Sequence, residues 1–257
     1  MNLGWLATEG AVFGLEAARI SGVVIATPLA WSVAPDKAKI GLVLVLAIAV
    51  HGVAPAAVHA DDVFATVGAV PAELLVGLAM GMVVRFAIAS VQIAAEAISP
   101  MLGLGVASLF DPHTQTTETA LTQILRYMAM LMAMTLGLHR VAIGAVLASF
   151  TLLPAGSVTH PSAVTQALVA ASDAALSSGL RLAIPLIAVL LVIQVALAFI
   201  SRAAPAMQIF SVGFAFALIG GSVTLTLALP DMAAAIVDEF SHVGPRIENV
   251  VASLTEG

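Results

Sequence analysis

The residues of this chain that could do chemistry are ionisable side chains set in apolar sequence. Glu16 and Arg19 stand three apart inside the apolar run 9–31, a spacing that puts both on one helix face and lets them pair. Arg85, Glu96, Arg181 and Gln194 lie within or near the ends of later apolar runs. An ionised group at the centre of a membrane helix costs about 2.5–3.5 kcal/mol on insertion scales. Such a group therefore reaches the interface along its aliphatic stem, or faces protein or water, or serves transport by holding a proton or solute. Glu16, Arg19 and Arg85 read as contacts buried against other protein. Arg181 is a further candidate buried charge, and for it and Glu96, both near run ends, snorkelling is an equal alternative.

Other reactive chemistry finds no foothold. The six histidines, at 51, 59, 113, 139, 160 and 242, show no ligand spacing and read as loop or helix-end residues. HExxH, the GxSxG elbow and the P-loop are all absent, and no carboxylate pair sits in a catalytic setting. With no cysteine, disulfides, thiolate metal sites and thiol nucleophiles are excluded. The expectation is a protein that is not an enzyme and holds no cofactor or metal. Met128, Met130, Met132 and Met134 form i,i+4 pairs on two faces of one helix. They suit adaptable packing, with a deformable seal as the functional alternative. Gly10/Gly14 and Gly77/Gly81 have the GxxxG spacing that lets helices approach closely. Chance gives such spacings readily in a chain with 20 glycines, so ordinary packing within the subunit is the plainer reading.

The elements that must position these groups are membrane helices. The chain is 61% hydrophobic and only 9% charged, with a mean hydropathy of +1.10, against roughly 45–50% apolar and about 25% charged in globular domains. Six apolar runs, 9–31, 38–58, 71–99, 119–150, 174–201 and 205–230, each approach the roughly 20 residues that a helix needs to span hydrocarbon. The runs 71–99 and 119–150 exceed one span and must tilt, kink or protrude. Pro205 after Ser201-Arg202 predicts a tight turn and a hairpin of the last two helices. The N-terminal segment, with Glu9, Glu16 and Arg19, reads as retained sequence rather than a signal peptide. Lys37, Lys39 and Arg202 against Arg140 and Arg246 favour an outside N-terminus. The net charge of −6 is thinly spread, and nine Lys+Arg make no nucleic-acid patch.

One polar interruption stands out, "GLGVASLFDPHTQTTETALTQ" at 103–123. Asp111-Pro112 has the form of an N-cap followed by proline, with a turn at His113 to Thr117 ahead of a long fourth helix. By local chemistry alone a solvated connector fits equally.

The order of these features resembles the FliR/SctT family of type III secretion export-gate proteins. Arg19, Gly22, Pro28, Pro35 and Lys39 are similar to that family's opening pattern. "AELLVGLAMGMVVRFAIASVQIAAEAISPMLGLGVASLFDP" resembles its glutamate-led, glycine-spaced helix running into an Asp-Pro loop. Arg181 and Pro185, then a turn with Arg202, Pro205, Phe210 and Gly213, resemble its closing pattern, with Gln208 and Ala215 departing from the usual Asn and Pro. The resemblance implies an all-α membrane protein whose helices pack, hairpin-like, into a multi-subunit pseudo-helical export gate. It implies a single domain over 1–257, with the loop 106–119 as pore plug and Ser108, Leu109, Phe110, Asp111, Pro112, His113, Thr114 and Gln115 at its centre. The implied partners are FliP-like and FliQ-like subunits, with FlhB-like and FlhA-like components, secreted flagellar proteins as passengers, and inner-membrane lipid. Energy would come from a separate ATPase and the proton gradient. The family leans towards flagellar assembly, with virulence secretion as the alternative. A proton-coupled secondary transporter using Glu16, Arg85 and Glu96 is the rival of a different class, and it would be expected to show related halves, which are not found.

Overall fold

The computed structural model describes residues 3–52, 63–102, 119–157, 161–203 and 209–254. Among them the chain forms α1 (Leu3–Ala26), a 3-10 turn (Ala30–Ser32), α2 (Asp36–His51), α3 (Val63–Ile98), α4 (Ala120–Thr135), α5 (Leu138–Leu152), α6 (Pro161–Ala203), α7 (Ile209–Ser241) and α8 (Val243–Ser253). This is the all-α membrane fold that the composition requires.

The six apolar runs do not become six crossings. Among the described residues Gly68–Ile98, Val164–Ile200 and Ala215–Ser253 are long and apolar enough to span, and the pair Ala120–Thr135 and Leu138–Leu152 makes a fourth if taken together. The first two runs fall short for physical reasons. Glu9, Glu16 and Arg19 interrupt α1, and α2 has only 16 residues. The run 119–150, expected as one long helix, is broken, because Gly137 takes the left-handed conformation at φ 76° between Thr135 and Leu138. In contrast α6 runs for 43 residues through Pro185, about 65 Å at 1.5 Å per residue. That is about twice the hydrocarbon thickness, so the helix extends beyond any one crossing.

Packing divides the chain into two compact units. The first draws on Met1–Ala87, Ala133–Asp173 and Phe240–Gly257. Here α1 lies along α2, and α8 docks on α5 through buried Val243, Ile247, Val250 and Val251. That spacing of four, three and one is an amphipathic stripe. The crossing of α1 with α3 depends on glycine. A Cβ on Gly22 would stand 2.5 Å from the Leu74 carbonyl oxygen, and one on Gly77 would collide with that of Arg19. Gly77 and Gly81 thus serve close packing within the chain, whereas a Cβ on Gly10 or Gly14 would meet nothing within 4 Å among the described residues.

The second unit draws on Ile88–Met132 and Ala174–Glu239. Gly179 of α6 packs against Ser90 and Ile93 of α3. Ile193 lies beside Gly220, Leu190 beside Gly221, and Ser178 bonds Glu239 at 2.7 Å, so α6 and α7 run antiparallel as the expected hairpin. Its turn differs from expectation at one point, since Ser201-Arg202 still belongs to α6, while 204–208 lie outside the described residues. In α4 the buried stripe is Leu121, Leu125, Ala129 and Ala133, and the four methionines flank it half-buried. The span window of α3 is 61% buried but those of α6 and α7 only 17%, so the last two long helices present apolar sides that the described residues leave largely uncovered.

Candidate functional site

The densest polar site is in the first unit and is built on α1. One face of this helix buries Val12, Leu15, Glu16, Arg19, Ile20 and Val23, at the three- and four-residue spacing of an amphipathic helix. Two of these residues are charged, and each finds its partner on another helix.

Arg19 is fully buried and donates from Nε to Glu73 Oε2 of α3 at 2.6 Å, with neither side chain exposed. Its Nη1 donates to Ser149 Oγ at 3.2 Å and to the Leu153 carbonyl at 2.8 Å, at the end of α5. The second oxygen of Glu73 accepts the Gly156 backbone N–H at 2.7 Å. The guanidinium lies 4.3 Å from the centre of the Phe150 ring. That cation–π contact accompanies Nη2, a buried nitrogen with no hydrogen-bond partner among the described residues. One ion pair therefore fixes α1, α3 and the turn after α5 together. The carbonyl at Leu153 is one of the groups a helix end leaves unsatisfied, and Arg19 supplies its donor.

Glu16, 1% exposed, pairs with α2: His51 Nδ1, in the last turn of that helix, lies 3.0 Å from Glu16 Oε2. His51 Nε2 lies 3.1 Å from Glu9 Oε2. The Phe13 ring stands edge-on to the imidazole at 5.6 Å. Burial raises the Glu16 carboxyl above the ordinary carboxylate range; the His51 hydrogen bond and charge lower it, Glu9 raises it and Arg19 lowers it.

The sequence expectation of a Glu16–Arg19 pair is therefore corrected. Both are buried, but each bonds a group from another helix, because Glu73 and His51 offer direct hydrogen-bonding geometry. Arg85 and Arg181, expected as contacts buried against other protein, are exposed on this chain, as are Glu96 and Gln194, although Gln194 donates to the Met101 carbonyl at 3.0 Å. Arg202 is exposed in the last turn of α6, Pro205 lies outside the described residues, and Phe210 and Gly213 fall in the first turns of α7. Ser108, Leu109, Phe110, Asp111, Pro112, His113, Thr114 and Gln115 also lie outside them. The flanks of that segment are joined: Ser99 Oγ, just after α3, lies 2.8 Å from Thr119 Oγ1, which accepts the Thr122 N–H at 3.3 Å as the cap of α4.

Glu73 and His51 are the functional residues that sequence reasoning missed. Glu73 carried a signal, an acid within an apolar run and at the head of the glycine-spaced motif. His51 carried little, since only the fold brings α2 beside α1.

Residues 11–243 match the family described as bacterial export proteins, family 1. The chain belongs to that family. The export-protein family's match takes in Glu16, Arg19, His51, Glu73 and the segment 106–119, and leaves Glu9 just outside. Among its relatives, the flagellar biosynthetic protein FliR of Escherichia coli K12 is 31% identical over 86% of this chain and 84% of its own length. FliR of Pectobacterium carotovorum is 30% identical over the same shares. FliR of Caulobacter vibrioides is 32% identical over 68% of this chain and 70% of its own length. As an export-family membrane protein, the chain is a component of a secretion apparatus, and the buried Arg19–Glu73 centre reads as the joint that holds its first unit together.

Proposed function

We propose that this protein is a subunit of the flagellar type III export gate in the bacterial inner membrane, helping to form and close the channel through which unfolded flagellar proteins leave during assembly. The observation that carries this reading is the export-family match over residues 11–243, joined by similarity over 86% of the chain to proteins named for flagellar biosynthesis. The uncovered apolar sides of α6 and α7, with Phe199 and Phe216 exposed, suit packing against FliP-like and FliQ-like subunits, and FlhB-like and FlhA-like components complete the assembly. Within the channel, residues 106–119 act as the plug. The Ser99–Thr119 contact supports this by bringing the residues that flank this segment together at one base.

Deleting the gene tests the function through motility and through secretion of flagellar proteins. Loss of both, restored by the gene in trans, is expected; unchanged export would overturn the reading. Shortening residues 106–119 in an assembled gate tests the plug. Ion leakage should rise while the partner subunits still copurify, and an unchanged leak in a properly assembled gate refutes it.

A further inference from the structure

Glu9, Glu16 and His51 make a cluster that the export reading does not use. His51 presents each ring nitrogen to a different carboxylate, Nδ1 to Glu16 at 3.0 Å and Nε2 to Glu9 at 3.1 Å. A neutral imidazole has one donor and one acceptor nitrogen, and an ionised carboxylate only accepts. Both contacts can be hydrogen bonds only if the cluster holds one more proton than two carboxylates and a neutral imidazole. That proton sits either on the ring or on one carboxyl, and both arrangements satisfy all three groups. When it leaves, one nitrogen lone pair faces a carboxylate and the buried Glu16 must hold its charge without a full partner.

We propose that these three residues form a proton-operated clasp that holds the end of α2 against α1, closed while the shared proton is bound and opened when it leaves. The clasp has one buried end and one wet end: Glu16 is 1% exposed, whereas the side chains of His51 and Glu9 are 29% and 54% exposed, so the proton exchanges with water on the Glu9 side. The charges acting on Glu16 are His51 from α2 and Glu9 and Arg19 from α1. Glu73 of α3 is bound to Arg19, and α5 and its end bring the neutral Ser149, Phe150 and Leu153 carbonyl to that arginine. Burial of Glu16 favours its proton-bound form, the same direction as the hydrogen-bond count. The pH dependence follows: the clasp closes on acidification and opens as pH rises. Lys37 and Lys39 lie at the other end of α2 from His51.

The absence of cysteine makes a direct test clean. Gly10→Cys and Ile48→Cys, both at exposed positions, are spin-labelled in the full chain in lipid nanodiscs, and the α1–α2 distance distribution is measured between about pH 5.5 and pH 9. A single short distance should hold at the acidic end, and a longer population should grow with pH, by up to about tenfold per unit for one linked proton. Glu16→Gln, whose amide can pair with either ring nitrogen state, should abolish that dependence, as should His51→Gln. A wild-type distribution that does not move with pH overturns the clasp, and so does an unaltered pH response in the substituted chains. If Glu16→Gln fails to fold, His51→Gln decides alone.

Discussion

Replacing Glu73 by alanine isolates what the buried ion pair contributes. The substitution leaves Arg19 charged, fully buried and without its shortest contact, and it takes the acceptor from the Gly156 N–H. Breaking one partner of a buried pair costs roughly 3–5 kcal/mol, and an orphaned backbone donor adds about 1–3 kcal/mol. Against a total stability on the order of 5–15 kcal/mol, this is a severe loss, worth a fall in Tm on the order of 10 °C or more. Arg19→Met alone should also destabilise, because Glu73, Ser149 and the Leu153 carbonyl lose their donor. The double variant Arg19→Met with Glu73→Ala removes both charges, so its cost should be clearly less than the sum of the two. Thermal unfolding of the purified full chain in detergent, followed for all four proteins, closes the cycle. Single-variant losses under about 1 kcal/mol, or a double variant whose loss equals the sum, would refute the claim that this pair is a buried, coupled joint.

The two GxxxG pairs should behave oppositely. Gly77→Ala drives a methyl into the Arg19 carbonyl, a backbone atom that cannot step aside, and should cost about 1–3 kcal/mol or more by overpacking; Gly10→Ala, with open space around it, should leave stability unchanged or raise it by about 0.5–1 kcal/mol. Both are read by thermal unfolding in detergent, and equal effects would undo the assignment of Gly77 to the α1–α3 crossing. The raised Glu16 carboxyl fixes the sign of a pH effect: the folded chain binds this proton more tightly than the unfolded chain, so its contribution is fully present below the ordinary carboxylate range and is lost as pH rises through the raised value. Tm of the wild type should therefore fall more steeply with pH there than Tm of Glu16→Gln, and parallel curves would contradict it.

How much of this was legible in the sequence depended on whether a signal was local. The helical, membrane-bound character follows from composition, and the burial of Glu16 and Arg19 follows from charge set in apolar sequence. Their partners do not, because a three-residue spacing proposes the nearest opposite charge, while the fold brings Glu73 from 54 residues away and His51 from 35. Counting apolar runs likewise overstates the crossings. The count sees neither the left-handed Gly137 that divides 119–150 nor the way α1 spends its charged face on contacts within the chain. The hairpin of α6 and α7 was legible because a proline after Ser201-Arg202 predicts a helix boundary between two apolar runs; the fit of Ile193 and Leu190 beside Gly220 and Gly221 was not.

The exposed charges Arg85, Glu96 and Arg181 carry the remaining argument. Arg181 is exposed on α6, a helix that also exposes Ile184, Val192 and Phe199. Lipid would welcome the apolar residues but would charge about 2.5–3.5 kcal/mol for a central arginine unless it snorkelled. A protein neighbour or a wet channel removes that penalty by offering acceptors, and an apolar neighbour covers the rest of the face. Arg85 and Glu96 on α3 pose the same choice. On α3 a buried Glu73 and exposed Arg85 and Glu96 share one helix, a pattern that suits the proposed gate assembly, where neighbouring protein or a wet channel would supply acceptors, better than a face open to lipid.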